Sequence, residues 1–387
     1  MPVSEARSTS IAVLGRLKHS AMAQKLTVLI SPTFRCNMKC AYCYVRDRNV
    51  GDMSLIDFET SFRWIVKYCK RIGARSVEIV WFGGEPLLFD RLTIISALRL
   101  EERIFTDAGL RFVNRLQSNL TLISEEVCEL IHQYFNGSVS GSVEPWGASR
   151  RYPGGKSAFP DIEEGLLVLR RQKVRVGLVC TLTKKDIVSP ERLYQWFRSR
   201  CSAFRVNRAH PPRPGFRSEY LSVDEYDDYI MKLFQLYVSD PSPSARLVNF
   251  VAVARSILLR QPLGCADAHS PWSRFEIAGG GKIFSYCRKS TRLIGDCHSS
   301  SVEDVLSSLS LISREIHEPH ECETCIWKER KVCVGGCIGE SDKSCVNSEC
   351  GYRTEYTRAM YEYVYDYLEA KGVSSIDDCE RIIPKIS

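Results

Sequence analysis

The chain has 387 residues, of which 44% are hydrophobic and 26% charged, with 53 basic and 46 acidic side chains. This length allows two or three domains with ordinary cores. No apolar run approaches the roughly 20 residues of a membrane span, and residues 1–25 lack a signal-peptide core, so a cytoplasmic protein without membrane contact is expected. The basic residues are dispersed rather than clustered, which argues against a nucleic-acid partner.

Residues 26–208 repeat one pattern, a strand followed by a helix. Strands are predicted at Leu26–Ser31, Ser76–Phe82, Arg111–Ser118, Ser138–Val143, Val174–Leu182 and Ala203–Asn207. Helices are predicted between them at Leu55–Ile72, Arg91–Thr106, Ser124–Phe135, Asp161–Gln172 and Pro190–Arg200. This alternation predicts a parallel sheet with right-handed crossovers, either a partial barrel or an open doubly wound sheet.

The pattern changes after this region, and the chain is predicted to have five segments. Residues 1–25 are an N-terminal extension, and 26–208 are the strand–helix domain. Residues 209–260 are a linker with helices at Val223–Val238 and Arg246–Leu259. Residues 261–354 are rich in cysteine, with a hairpin at Phe275–Tyr286, and 355–387 contain a last helix, Glu355–Ala370, and a tail.

Three cysteines, Cys36, Cys40 and Cys43, lie just beyond the first strand. On a helix they would share a face, so simple core packing is one interpretation. Pro32 and the polar residues interleaved with the cysteines interrupt the apolar face that such a helix needs. On a loop at the carboxyl end of a strand, three cysteines can hold three irons of a [4Fe–4S] cube and leave the fourth open. A zinc site is the other metal alternative, and it would need a fourth ligand.

The second strand ends in Gly83, Gly84, Glu85 and Pro86. Two glycines there allow a ligand to approach the backbone, and a carboxylate suits a ligand amino group. An ordinary turn between strand and helix is the alternative. Together, Cys-x3-Cys-x2-Cys after one strand and Gly-Gly-Glu-Pro after the next resemble the radical S-adenosylmethionine (SAM) enzymes.

That resemblance implies a partial (β/α)6 barrel with a [4Fe–4S] cluster on Cys36, Cys40 and Cys43. The family's Ser-Leu-Asp-Gly stretch reads Ser-Val-Glu-Pro here, and the adjacent Arg150 leaves the register of the matching arginine open. The residues that the resemblance assigns to SAM are Gly83, Gly84, Glu85, Asn119, Ser142 and Arg151.

The spacing Cys322-x2-Cys325-x7-Cys333-x3-Cys337, with Cys265 and Cys287 upstream and Cys350 downstream, resembles the SPASM extension of peptide-modifying radical SAM enzymes. The alternative metal for these cysteines is zinc. A non-catalytic zinc protein that binds nucleic acid is the corresponding alternative function. The resemblance implies three [4Fe–4S] clusters in all and an α/β barrel followed by a SPASM domain. One auxiliary cluster is expected on Cys322, Cys325, Cys333 and Cys350, and the other on Cys265, Cys287 and Cys337, with Cys297, Cys345 or an open position completing it.

The same resemblance implies that the reduced first cluster cleaves SAM and that a 5′-deoxyadenosyl radical removes hydrogen from a peptide side chain. A precursor peptide or protein is the expected substrate, and a flavodoxin or ferredoxin the expected low-potential electron donor. The roughly 25 residues before the first strand are too few for a winged-helix leader-binding domain. A leader is therefore expected to dock elsewhere, with the linker 209–260 as a candidate, or to use a partner protein.

Arg288 occupies the position where anaerobic sulfatase maturases carry a proposed aspartate base. Because a guanidinium stays protonated, it cannot take up a proton at neutral pH. A carbon–carbon or thioether cross-link in a ribosomal peptide is therefore the expected product. Formylglycine formation and small-molecule dehydrogenation are the alternatives, and no catalytic base is predicted.

Overall fold

The computed structural model describes residues 25–45, 50–209, 219–261, 271–285, 291–314, 324–330, 332, 357–375 and 378. The chain divides into two compact units. Unit 1 comprises Met1–Arg35, Asp47–Arg115 and Ala266–Ile316, and unit 2 comprises Cys36–Arg46, Leu116–Cys265 and His317–Ser387. Among the described helices, none combines the length and apolar character that a membrane crossing requires.

The described strands are β1 Lys25–Ser31, β2 Ser76–Trp81, β3 Arg111–Ser118, β4 Ser138–Ser142, β5 Arg175–Leu182, β6 Ala203–Arg208, β7 Arg246–Leu247, β8 Arg274–Ala278, β9 Lys282–Ser285 and β10 Leu293–Asp296. The described α-helices are α1 Leu55–Ile72, α2 Arg91–Asp107, α3 Glu125–Tyr134, α4 Phe159–Arg171, α5 Pro190–Arg198, α6 Val223–Ser239, α7 Val248–Leu259, α8 Val302–Arg314, α9 Ile326–Glu329 and α10 Arg358–Ala370.

Unit 1 is built on β1, which pairs in parallel with β2 on one side and with β8 on the other. The predicted hairpin is confirmed, because β8 and β9 pair antiparallel across Gly279–Gly281, and β10 continues the sheet antiparallel to β9. The helix α8 and the strand β10 were not predicted. Ser301 and Asp304 form a capping box at the start of α8, a local signal that was overlooked in the sequence.

The first helix of unit 1 shows why the sequence pattern succeeds. Ser54 and Asp57 form a reciprocal capping box at its start, and each satisfies a backbone N–H that the helix cannot. The buried face packs aromatic rings on the sheet, with Phe58 stacked on Trp81 at 5.6 Å between ring centroids. The structure gives this helix the same bounds as the prediction.

Unit 2 contains β4 to β7 and the end of β3, in the order β3-β4-β5-β6-β7, and every neighbouring pair is parallel. The register aligns Ser142 with Val179, and Thr181 with Asn207. Since aligned and alternate residues of neighbouring strands share a face, one face of this sheet is polar near the carboxyl ends of its strands. That face carries Gln117, Ser140, Ser142, Thr181 and Asn207.

The opposite face of the unit 2 sheet packs against helices. Phe204 of β6 stacks on Phe197 of α5 with ring centroids 4.6 Å apart. Asn249 of α7 closes the free edge of β6, because its amide accepts from the Val206 N–H and donates to the Val206 carbonyl, both at 2.9 Å. The carboxyl end of β6 is therefore held in place on the side away from β5.

One predicted helix needs a correction at its start. The helix predicted from Arg246 begins at Val248, because Arg246 and Leu247 pair in parallel with β6 as the short strand β7. Two smaller differences have local causes. The helix α4 starts before the predicted Asp161 because Pro160 is tolerated in a first turn, and α10 starts after its cap, Thr357.

The alternation of parallel strands and helices from β1 to β6 confirms the α/β prediction. The boundaries of the five predicted segments stay predictions. Much of the cysteine-rich segment 261–354 lies outside the described residues.

Candidate active site

In unit 1, the turn that follows β2 packs tightly against the segment that follows β1. A Cβ on Gly83, whose φ is +116°, would lie 2.4 Å from the Thr33 carbonyl oxygen, and one on Gly84 would lie 2.2 Å from that of Arg35. Two backbone hydrogen bonds join the segments, from Gly84 N–H to Thr33 at 3.0 Å and from Glu85 N–H to Arg35 at 2.9 Å. Both glycines are therefore needed by the fold itself.

Glu85 is completely buried in unit 1. It caps the 3-10 turn Pro86–Leu88, and its Oε1 accepts the Leu87 N–H at 3.1 Å. Glu85 thus places a buried carboxylate at a fixed position beyond the carboxyl end of β2.

In unit 2, the predicted cluster cysteines lie on one loop. Cys36 is exposed, Cys43 is half-buried and Cys40 is buried. Burial raises the pKa of the Cys40 thiol to about 11; Arg150 opposes this rise, while Glu144, Cys43 and Cys36 add to it. Charges on the two other thiols influence Cys40, so the three cysteines are electrostatic neighbours.

Arg150 makes the closest charged contact with this loop. Its guanidinium lies 3.5 Å from Cys40 Sγ and donates to the Tyr42 hydroxyl at 2.6 Å. It also forms a buried ion pair with Glu144, with 2.8 Å between Nε and Oε2. The other Glu144 oxygen accepts the Thr181 N–H at 3.0 Å. A continuous set of contacts therefore links Cys40 to β5.

Arg151, the arginine that the sequence assigned to SAM, is placed differently. It is exposed, and its guanidinium donates to the carbonyls of Ala148 at 2.6 Å and Gly155 at 2.8 Å. Its own carbonyl accepts the Lys39 N–H at 2.7 Å, which ties the cysteine loop to this segment. The two adjacent arginines thus have separate surroundings, and the assignment of Arg151 to SAM stays a prediction.

The other predicted SAM residues of unit 2 also lie at strand ends. Asn119 is buried, donates to Asn37 Oδ1 at 2.7 Å and lies 4.0 Å from Cys36 Sγ. The next residue, Leu120, is buried with φ +66°, a backbone conformation that is strained for leucine. Ser142 Oγ accepts from Gln117 Nε2 at 2.9 Å.

Two polar residues on this face of unit 2 were missed from the sequence. Glu144 pairs with Arg150, and the only sequence signal was its position in the Ser-Val-Glu-Pro stretch. Asn207, at the end of β6, is 2% exposed, and its Oδ1 has no hydrogen-bond partner among the residues that the structure describes. No motif marks it. Neither residue can be identified as part of this site until the register of the strands is known.

Of the cysteines predicted to bind the auxiliary clusters, only Cys297 and Cys325 lie within the described residues. Arg288 also lies outside them. Cys325 is half-buried and precedes α9. Cys297 is 7% exposed in unit 1, where burial raises the pKa of its thiol to about 12 and the nearby Ser61 hydroxyl lowers it. The two auxiliary clusters therefore stay predictions.

The cysteine loop fits an iron–sulfur cluster in its donor chemistry. Cys36, Cys40 and Cys43 are free thiols, and N–H donors of Asn119 and Arg150 face two of the sulfurs, as suits thiolate ligands. Within the described residues, no three His, Cys, Asp or Glu side chains form a set around a single metal ion. A cube does not require one, since each cysteine binds a different iron.

Comparison with known proteins supports the resemblance to radical SAM enzymes. Residues 30–196 match the model of the Radical SAM superfamily. The serine-type anaerobic sulfatase-maturating enzyme of Klebsiella aerogenes is 24% identical over 335 residues, which cover 82% of this chain and 80% of that enzyme. The matched region, residues 30–196, is a radical SAM domain.

Two solved structures extend the likeness beyond residues 30–196. Native anSMEcpe with bound AdoMet and the Cp18Cys peptide superimposes with a TM-score of 0.71 at 20% identity, covering 92% of this chain and 99% of that one. Streptococcus suis SuiB bound to precursor peptide SuiA gives a TM-score of 0.59 at 15% identity, covering 92% and 79%. The predicted radical SAM fold of this enzyme is confirmed.

Proposed function

We propose that this radical SAM enzyme oxidises a side chain of a peptide or protein. The observation that carries the proposal is the fold likeness over 92% of the chain to two proteins whose structures contain a bound peptide. A sulfatase-maturating enzyme among the relatives supports a protein or peptide substrate.

The residues of each unit have defined parts in this proposal. Cys36, Cys40 and Cys43 hold the [4Fe–4S] cluster, which together with bound SAM supplies a radical able to remove hydrogen from an unactivated carbon. Glu85 accepts hydrogen bonds from the SAM amino group, and Ser142 donates to its carboxylate. The close backbone approach at Gly83 and Gly84 in unit 1 fixes the position of Glu85.

The preferred reaction is formation of a carbon–carbon or thioether cross-link within a peptide. Arg288 stands where the sulfatase maturases carry an aspartate, and an arginine cannot serve as a base there. Formylglycine formation is the second candidate. The near-complete coverage of anSMEcpe, 99% against 79% for SuiB, supports it.

Iron content tests the cluster assignments. The anaerobically reconstituted enzyme should contain about twelve irons per chain if three cubes are present. Replacement of Cys36, Cys40 and Cys43 by Ala should leave about eight irons and abolish SAM cleavage to 5′-deoxyadenosine. Stoichiometric zinc without iron would contradict the proposal.

Product chemistry decides between the two reactions. The enzyme is co-expressed with each short peptide or sulfatase that neighbouring genes encode, and the product is analysed by mass spectrometry. Both cross-linking and oxidation of serine to formylglycine remove two hydrogen atoms, so intact mass cannot separate them. A cross-link suppresses backbone fragments between the joined residues, whereas formylglycine reacts with a hydrazine probe. A probe-reactive product with normal fragmentation would replace the cross-linking proposal by the second candidate.

A further inference from the structure

The buried pair Glu144–Arg150 has no part in the functions assigned above, although it lies against the cysteine loop. The Arg150 side chain is 10% exposed and that of Glu144 is 0% exposed. Charged side chains are this deeply buried only when they are paired. Glu144 accepts from Nε and Nη2 of Arg150, and the other N–H donors of the guanidinium extend to Cys40 and Tyr42.

We propose that Arg150 and Glu144 set the reduction potential of the cluster bound by Cys36, Cys40 and Cys43. The inference rests on the proposed binding of that cluster. A guanidinium N–H directed at a cysteine sulfur stabilises the more negative, reduced cluster, and the nearby carboxylate has the opposite effect. Both charges are buried, so water screens them weakly.

The geometry supports a fixed charge arrangement. Arg150 directs its Nη1 to Cys40 Sγ at 3.5 Å, and its Nε and Nη2 are held by Glu144. Glu144 is itself anchored by the backbone N–H of Thr181. The guanidinium therefore cannot turn away from the sulfur without breaking the ion pair. In this arrangement Arg150 is a positioning residue and need not touch the substrate.

Arg151 provides a matched control. It is adjacent in sequence and carries the same charge, but it is exposed and donates to carbonyls of its own segment. Exposure to water weakens the field of its charge at the cluster. A general loss of positive charge from this segment would affect the two variants alike, whereas the proposal requires a difference.

The test is an anaerobic redox titration with dithionite, followed by electron paramagnetic resonance of the reduced clusters. The signal that is absent from the Cys36→Ala/Cys40→Ala/Cys43→Ala variant belongs to the cluster on these cysteines. We expect Arg150→Gln to shift its midpoint potential down, and Glu144→Gln to shift it up. The double variant Arg150→Gln/Glu144→Gln should return towards the wild-type potential. The titration is done without SAM, so that the predicted SAM contact of Arg151 plays no part, and Arg151→Gln should then leave the potential unchanged.

Opposite shifts for the two single variants are a charge effect that a merely structural role would not produce. Equal shifts in Arg150→Gln and Arg151→Gln would overturn the inference. If Arg150→Gln does not assemble the cluster, the double variant is compared with Glu144→Gln, since these two differ only at Arg150. The same midpoint potential in both would overturn the inference. A wild-type enzyme that binds no iron at these cysteines would overturn the proposed function itself.

Discussion

Two buried carboxylates, one in each unit, are accommodated in different ways. Glu101 of α2 in unit 1 is 0% exposed; the Asn114 amide lies beside it, but within the described part of the chain neither carboxyl oxygen has a well-formed hydrogen bond. Burial raises its pKa from an ordinary value of 4.5 to about 8. Glu144 in unit 2 is 2% exposed and bonds with Arg150 and the Thr181 N–H.

This difference shows the two ways in which a protein tolerates a buried acid. Without a cation, the acid keeps its proton, and the free energy of unfolding becomes dependent on pH. With a buried cation, the acid stays charged, but each partner becomes essential for the other. We therefore expect Glu101 in unit 1 to make the free energy of unfolding depend on pH. In unit 2, we expect the loss of either Glu144 or Arg150 to destabilise the fold.

The largest expected effect concerns Glu101. Its folded pKa lies above its unfolded pKa, so its contribution to stability is complete below about pH 4.5 and is lost as the pH rises to about 8. Relative to Glu101→Gln, the wild type should lose about 1.4 kcal/mol of unfolding free energy per pH unit in this window. Above pH 8, the difference should remain constant.

Urea unfolding of the full chain at a series of pH values measures this dependence. Glu102→Gln is the control, since it changes the neighbouring, exposed acid of the same helix. Parallel stability curves for the wild type and Glu101→Gln would show that Glu101 is already ionised in the folded protein. Glu101 and Glu144 would then not differ in the way described above.

A slightly smaller loss is expected when the pair in unit 2 is broken. Arg150→Gln leaves the Glu144 carboxylate buried without its cation, which typically costs about 3–5 kcal/mol. The double variant Arg150→Gln/Glu144→Gln removes both charges and should recover most of that loss. Denaturant unfolding of the apoprotein at pH 7 measures both. Equal destabilisation in the single and double variants would show that packing, rather than charge, holds this region.

The sequence predicted the elements around these groups well. The helix α1 and the strand β3 have the predicted bounds, because caps and periodic apolar residues are local signals. The cysteine spacing and the Gly-Gly-Glu-Pro turn were also readable, since their chemistry lies within a few residues.

What the sequence did not reveal depends on long-range pairing. Glu144 and Arg150 are close in sequence, but their joint contact with Cys40 follows from the return of the chain to the cysteine loop. Asn207 becomes notable only when the β5–β6 register places it beside Thr181. The strand β7 was mistaken for the first turn of a helix, because two residues carry too little pattern to show pairing with β6.

A third buried acid, Glu85, extends the comparison to ligand binding. Glu85→Gln keeps the oxygen that accepts the Leu87 N–H but removes the charge that the proposed function assigns to the SAM amino group. SAM affinity should fall by about 1.5–3 kcal/mol, roughly 10- to 150-fold. Titration calorimetry of the reconstituted enzyme measures it, with Glu101→Gln as a buried-acid control in the same unit. Equal affinities for the wild type and Glu85→Gln would remove Glu85 from the SAM site.

The smallest effect is expected for an acid that water surrounds. Glu59 pairs with Arg63 on α1 at 2.7 Å, but their side chains are 45% and 59% exposed. Because solvent screens the charges and both side chains lose freedom, Glu59→Gln should cost about 0.3–0.5 kcal/mol, and less at high salt. Urea unfolding at low and high ionic strength measures this. A cost as large as that of Arg150→Gln would mean that burial is not what separates the two pairs, since the exposed pair has the shorter N–O distance of the two.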